Sequence, residues 1–517
     1  MIRLQVARHL QKQPAVVDGS ACGDRRGESH DQSEQERSEQ NESCKSVFVL
    51  HGCILLVPAN SSCSSCTAAR QAAVQLSPNL FFSSADFTCS CGKTSLVYSL
   101  YLHIPFCAHR CAYCDFNTYA GQESLIPAYA DALCNEIEFV GSRAERSDSG
   151  DEAKVHTIFF GGGTPSLLSP SQFDSILGSI RANFTLTDDV EITIEANPGT
   201  VTFSDLAQLR ALGINRISYG VQSANMEELR MLERTHSFFD VLEAVTSARK
   251  AGFDNLNLDL IYGLPEQSLQ TWQTTVKRIL DLHPEHISAY ALTLEHGTPF
   301  GRWAKKGLLP LPDPDLAAEM YEWASETLEA NGYVQYEISN WAKDVKGQKS
   351  QVEIQPSTFD LRPSTPTFAC RHNLQYWRSL PYLAFGAGAH GYANGYRYSN
   401  VLRIKTYIER LITDHRSLNT AFPLTPAIVN HHKQTLQDDM SEFMINGLRL
   451  TREGISVDEF EQRFEKKLQD VFGKEIDELL KLGLLESKTS EFSKNSEVLR
   501  LTPRARLLGN QVFMRFV

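Results

Sequence analysis

Residues 107–116 read CAHRCAYCDF, three cysteines at C-x3-C-x2-C spacing. A structural zinc site is completed by four ligands, and a disulfide framework uses an even number of cysteines. Clustered soft thiolates select iron–sulfur clusters, zinc or copper. Three cysteines on a cube of four irons leave one iron without a protein ligand, an arrangement useful only where something else binds it. Zinc with a fourth ligand elsewhere is the alternative, but the C-x3-C interval is unusual for zinc fingers or ribbons. The pattern ends two residues later at Phe116.

The surrounding elements supply a frame for these thiols. LVYSLYLHI, VHTIFF, VEITIEA, NRISYGV, DNLNLDLIY and HISAYAL are short runs of β-branched and aromatic residues, separated by helical stretches such as LIPAYADALCNEIEFV. That alternation predicts an α/β fold with parallel strands and crossover helices. Six units imply a partial (β/α)6 barrel, whose chemistry belongs at the C-terminal ends of the strands. The cysteine loop follows the first run and GGGTP (161–165) follows the second. Glu195 ends the third, Gln222 the fourth and Asp259 the fifth. All five features are therefore expected at one mouth.

Outside residues 96–340, which hold the barrel, the pattern loosens. Residues 1–95 form a polar tail, expected to be disordered, that carries CSSC (63–66) and CSC (89–91) with no histidine at finger spacing. Residues 341–369 read as an inserted polar, Pro-rich surface loop, and 370–424 carry CRHNLQYW and FGAGAHG. Residues 425–517 read as a smaller α-rich C-terminal domain with a β-hairpin. A net charge of −12 and the lack of a basic, aromatic-interleaved run argue against nucleic acid as partner. The segment VFVLHGCILLV (47–57) is too short to span a bilayer. Twelve cysteines in 517 residues is not disulfide-scaffold density, so a soluble, cytoplasmic protein is expected. The acid-free first seventeen residues, with Arg3, Arg8 and Lys12, raise a mitochondrial or other organellar address as the alternative.

CAHRCAYC after a strand resembles the signature of the radical S-adenosylmethionine (SAM) superfamily. The resemblance implies a [4Fe–4S] cluster on Cys107, Cys111 and Cys114, with SAM on the open iron. It further implies that Tyr101 lies near the SAM methionine group and that Tyr113 packs on the cofactor. Gly162, Gly163 and Thr164 would offer backbone to its amino-acid end, and Glu195, Gln222, Arg234 and Asp259 polar contacts. Each of these four, read alone, is equally an ordinary surface or capping residue.

YLHIPFCAHRCAYCDF, GGGTPSLL, IEANPGTV, RISYGVQS and LDLIYGLPEQ together resemble the coproporphyrinogen dehydrogenase (HemN) group, from about residue 97 to the C-terminus excluding 344–366. Its dehydrogenases place a further cysteine where this chain has Phe116. The branch with phenylalanine is the HemW family of heme chaperones, which carries H-N-x-x-Y-W, here His372 to Trp377. That resemblance implies heme binding and delivery to an acceptor protein the sequence does not name. His372 would be an axial ligand, Cys370 a competing one, and Tyr376 and Trp377 porphyrin-covering rings. Taken alone, the same stretch reads as a buried histidine among core aromatics, and the resemblance reverses that reading. His390 reads as structural or as part of the site mouth. The alternative activity is an oxygen-independent coproporphyrinogen III oxidase, against which Phe116 and HNLQYW argue. A radical SAM methyltransferase or heme-degrading relative is a third reading. It lacks an extra barrel cysteine apart from Cys134, which reads as helix packing.

Overall fold

The computed structural model describes residues 45–50, 53–58, 97–144, 154–345, 362, 364–412, 420–489 and 497–517. Each of the six apolar runs forms a strand: β1 (Val97–Ile104), β2 (Lys154–Gly162), β3 (Thr185–Ala196), β4 (Arg216–Gln222), β5 (Leu256–Tyr262) and β6 (His286–Ala291). They pair in parallel, in chain order. Leu100, Leu102 and Ile104 of β1 are fully buried within the main apolar cluster, as are Ile158 and Phe160 of β2. The alternate residues Ser99, Tyr101, His103 and Thr157 carry the hydrogen-bonding groups, so side-chain alternation separates an apolar outer face from a polar interior. Crossover helices begin where the sequence caps them. Ser169, Thr202 and Ser237 each close a reciprocal capping box with the residue three positions on.

The sheet does not stop at six strands. β7 (Tyr333–Glu337) and β8 (Asn340–Lys343) extend it antiparallel beyond β6. On the other side β9 (Tyr382–Phe385) pairs parallel with β1, followed by β10 (His390–Ala393), β11 (Tyr396–Asn400) and β12 (Ile428–Lys433). The result is a twelve-stranded sheet. Two expected boundaries move accordingly. Residues 341–343 belong to β8 rather than to an inserted loop, and the sheet runs on past 425 to Lys433. The loop's far end is anchored, with Ser364 and Thr365 buried and Arg362 paired with Glu459. Residues 346–361 lie outside the described residues.

The C-terminal part is helical as expected, with helices at Leu436–Gly447, Val457–Phe464 and Leu468–Lys481. The expected hairpin pairs Leu485–Thr489 with Glu497–Leu501, and Ile455–Ser456 adds a short third strand. In the N-terminal unit, residues 6–94, Lys45–Leu50 and Cys53–Pro58 form an antiparallel hairpin within the expected tail. The CSSC and CSC pairs lie outside the described residues.

Candidate functional site

The cysteine loop leaves the C-terminal end of β1 and is closed at its base, where Phe106–Cys107 pairs with Tyr119–Ala120. Inside it the Cys114 N–H donates to the Cys111 carbonyl (3.1 Å), and Arg110 reaches back to the carbonyls of Cys114 and Phe116. Two neighbouring loops converge on the thiols. Thr164 Oγ1 donates to Cys107 Sγ (3.6 Å), and Arg234 Nη1 lies 3.7 Å from Cys111 Sγ. Asn197 joins them, donating to Thr164 Oγ1 (3.1 Å) and accepting from Arg234 Nη2 (2.5 Å). Asn197 is the residue that motif reading passed over. Its signal was its place directly after β3, before a proline, in IEANP.

These donors fit a cluster. The thiols share one loop, a guanidinium beside Cys111 offsets negative charge, and burial raises the Cys107 thiol and pushes that of Cys114 up to about 11. Unmetallated, both stay protonated, so iron binding must release protons. Among the described residues no three His, Cys, Asp or Glu side chains converge on a single ion. Thiolates on different irons of a cube have no need to converge.

The N–H groups of the glycine motif bind neighbouring segments. The Gly162 N–H donates to Glu195 Oε2 (3.0 Å), that of Gly163 to the Ile104 carbonyl (2.8 Å) and that of Thr164 to the Phe106 carbonyl (2.7 Å). These three N–H groups tie the end of β2 to β3, to β1 and to the base of the cysteine loop. Gly162 has φ +114°, and a Cβ there would stand 2.5 Å from the His103 ring. This close neighbour and the positive φ therefore demand glycine. His103 is itself central: Tyr101 OH bonds Nδ1 and Nε2 donates to the Asn117 carbonyl, 3.0 Å each. Burial chiefly holds it neutral, down at about 4, and the nearby exposed His390 adds to the effect.

Among the other expected contacts, Tyr113 is buried against Phe300, with ring centroids 6.4 Å apart. Gln222 adopts φ +68° where β4 bulges against β5, the kind of irregularity that re-aims a side chain at a functional rim. Asp259, the fourth residue of β5, lies in register with Gly220 of β4, whose carbonyl accepts from Arg234, and itself accepts from Ser218 Oγ (2.9 Å) and Asn257 Nδ2 (2.8 Å).

The expected heme motif lies deeper in the barrel. Helix Arg371–Trp377 packs against the middle of β2 and β3, and the His372 and Tyr101 ring centroids are 6.3 Å apart. The N–H groups of Arg371 and His372 both donate to the Glu191 carboxylate (3.2 Å each), and Cys370 Sγ lies 3.7 Å from it. His372 is fully buried and stacked on Phe159 at 5.0 Å. The Thr157 hydroxyl donates to Ser99, so it accepts from His372 Nδ1 (2.7 Å), and Nε2 accepts from Tyr376 OH (2.8 Å). The lone pair needed for iron is thereby used. Cys370 is equally buried, Tyr376 packs edge-on to Tyr382, and Arg449 covers Trp377 at 4.3 Å. All four residues are buried.

Comparison with known proteins agrees with this frame. The Radical SAM superfamily model matches residues 101–279 and the HemN C-terminal domain model matches 434–508. The Heme chaperone HemW of Bacillus subtilis is 36% identical, covering 81% of this chain and 99% of that protein. HemW of Lactococcus lactis is 33% identical over 81% and 97%, respectively. A zebrafish (Danio rerio) protein, Radical S-adenosyl methionine domain-containing protein 1, mitochondrial, is 33% identical over 73% and 78%. Among solved structures, Escherichia coli coproporphyrinogen III oxidase (HemN) superposes with a TM-score of 0.63 at 24% identity, covering 82% of this chain and 90% of that one. That likeness shows the fold alone. With relatives this similar along nearly their whole length, the chain belongs to the HemW family of radical SAM proteins.

Proposed function

We propose that this protein is a heme chaperone, binding heme and passing it to an acceptor protein, with a SAM-binding [4Fe–4S] cluster on Cys107, Cys111 and Cys114. The observation that carries the reading is the similarity along 99% of a relative named as a heme chaperone. Phe116, where the resembling dehydrogenases place a further cysteine, supports it over the decarboxylating alternative. SAM on the open iron would be approached by Tyr101, Tyr113, Glu195, Gln222, Arg234 and, newly, Asn197. Gly162, Gly163 and Thr164 would act by holding the loops in place. When bound, cluster and SAM supply one-electron reduction of the sulfonium. This chain's own residues set the loop geometry, offset thiolate charge through Arg234 and shield the thiols by burial. The mitochondrial label of the zebrafish relative favours the organellar alternative for location. Among the described residues no helix is long and apolar enough to cross a membrane. The test is anaerobic titration of the cluster-loaded protein with hemin. A bound Soret band at about one heme per chain is expected, and failure to bind would defeat the proposal.

A further inference from the structure

The FGAGAHG turn (385–391) is a sequence motif that neither the cluster thiols nor the expected SAM contacts account for. It joins β9 to β10 and lies against the far arm of the cysteine loop. We propose that this turn and Asn117 form a clasp that positions the cluster loop and the Tyr101–His103 pair for SAM, with Asn117 as the positioning residue. The inference rests on the radical SAM part of the reading above and not on heme. Asn117 stands three residues after Cys114. Its Nδ2 donates to two carbonyls on separate segments, Ala387 (3.0 Å) and Leu402 (2.9 Å). An amide NH2 has two donor hydrogens, so both are used. The Asn117 main-chain carbonyl meanwhile accepts from His103 Nε2 (3.0 Å). His103 in turn bonds Tyr101 OH through Nδ1 and lies over Gly162. One residue thus joins the arm of the last cysteine, the extension of the sheet and the ring pair expected beside SAM.

The turn is shaped for that contact. Gly386 and Gly388 have φ +99° and +80°, a conformation that L side chains rarely adopt. A Cβ on Gly388 would strike Asn117 Nδ2, and one on Gly386 would strike the His103 carbonyl oxygen. A turn needed only to reverse the chain would not require glycine where it meets Asn117 and His103. Tyr129 fastens the same two segments, its OH donating to the His103 carbonyl (2.7 Å) and accepting from the Ala387 N–H (2.8 Å). Behind the turn, the buried Glu136 carboxylate accepts from the Gly386 N–H (2.9 Å), from Asn400 Nδ2 (2.8 Å) and from the hydroxyls of Tyr407 (2.6 Å) and Thr425 (2.9 Å). A buried network so fully bonded is rigid, which is what a positioning clasp requires.

The test uses the full, cluster-loaded chain, with SAM affinity read from the change that SAM makes in the EPR signal of the reduced cluster. Asn117→Ala removes both donor bonds, and Gly388→Ala pushes the same amide from the opposite side. Each should weaken SAM binding at least tenfold and broaden the signal, at a cluster content near that of the unsubstituted chain. Asn117→Asp, which sets a carboxylate against two carbonyls, should weaken it more than Asn117→Ala. Leu328→Ala, a buried truncation in the helix Pro314–Ala330, lowers stability outside the clasp and should leave SAM affinity within twofold. If Asn117→Ala holds SAM within twofold, the clasp is packing alone and the inference falls. It falls equally if Leu328→Ala loses SAM as severely, or if Asn117→Ala loses the cluster itself. Asn117→Ala decides even where Gly388→Ala does not fold, because it removes only a half-buried amide. If the unsubstituted chain shows no SAM-dependent change, the radical SAM reading fails and takes the inference with it.

Discussion

Replacing His372 with alanine separates a strut from a ligand. The substitution removes a fully buried ring stacked on Phe159 and two hydrogen bonds, to Thr157 and Tyr376. Each bond is worth roughly 1 kcal/mol net, and a buried truncation adds a cavity cost of about the same size or more. Thr157 keeps its bond to Ser99, which limits the penalty on that side. The sum is ~2–4 kcal/mol of stability, enough to move the urea midpoint of the cluster-loaded protein clearly. Hemin affinity, measured where the variant is still folded, should stay within about twofold. His372→Asn, whose amide can stand in for Nδ1–H, should recover part of the loss. An alanine variant as stable as its parent but at least tenfold weaker for hemin, with a displaced Soret band, would refute the reasoning and restore His372 as an iron ligand.

Three further outcomes follow from the same geometry. Substituting any one of Cys107, Cys111 or Cys114 with serine should abolish the broad absorption of a reconstituted cluster, because two thiolates cannot hold a site-differentiated cube; retained absorption in any of them would count against the assignment. Gly162→Ala should lower cluster occupancy severely, since the residue has φ +114° and its Cβ would strike His103 at 2.5 Å; normal occupancy would show that the lock between β2 and the loop is dispensable. His103 and His236 are held at about 4 and His286 well below its ordinary value, each chiefly by burial. All three are neutral when folded but take up protons near pH ~6.5 when unfolded. Their contribution, up to ~3 kcal/mol for each of the first two, is full above that pH and lost as pH falls towards 4. Urea midpoints should therefore drop between pH 7.5 and 5.5, and a flat profile would contradict the neutral assignments.

The six barrel strands were legible because each is a short β-branched and aromatic run set between helical stretches. The mouth was legible because each motif follows a strand end. What stayed hidden was the rest of the sheet. YLAFGAGAHGYANGYRYSN is short, aromatic and glycine-rich, so its three strands look like loop. One signal was present: Asn394-Gly395 turns between β10 and β11 with φ +50° and +71°, the conformation that a two-residue Asn-Gly hairpin prefers. Motif spacing was also silent about depth. Helix packing buries His372 against Thr157, and strand pairing brings Asp259 to Ser218, partners that lie far away in sequence. The packing of HNLQYW, a buried histidine among core aromatics, was also legible in its residue types.

The central claim is that this chain handles heme rather than making it, and one anaerobic experiment addresses it directly. Cluster-loaded protein is given hemin in one vessel and coproporphyrinogen III with reductant and SAM in another. Retention of about one hemin per chain, released to an apo-heme protein on mixing, with no protoporphyrinogen formed, is the predicted result. Turnover of coproporphyrinogen III without stable hemin binding would contradict it.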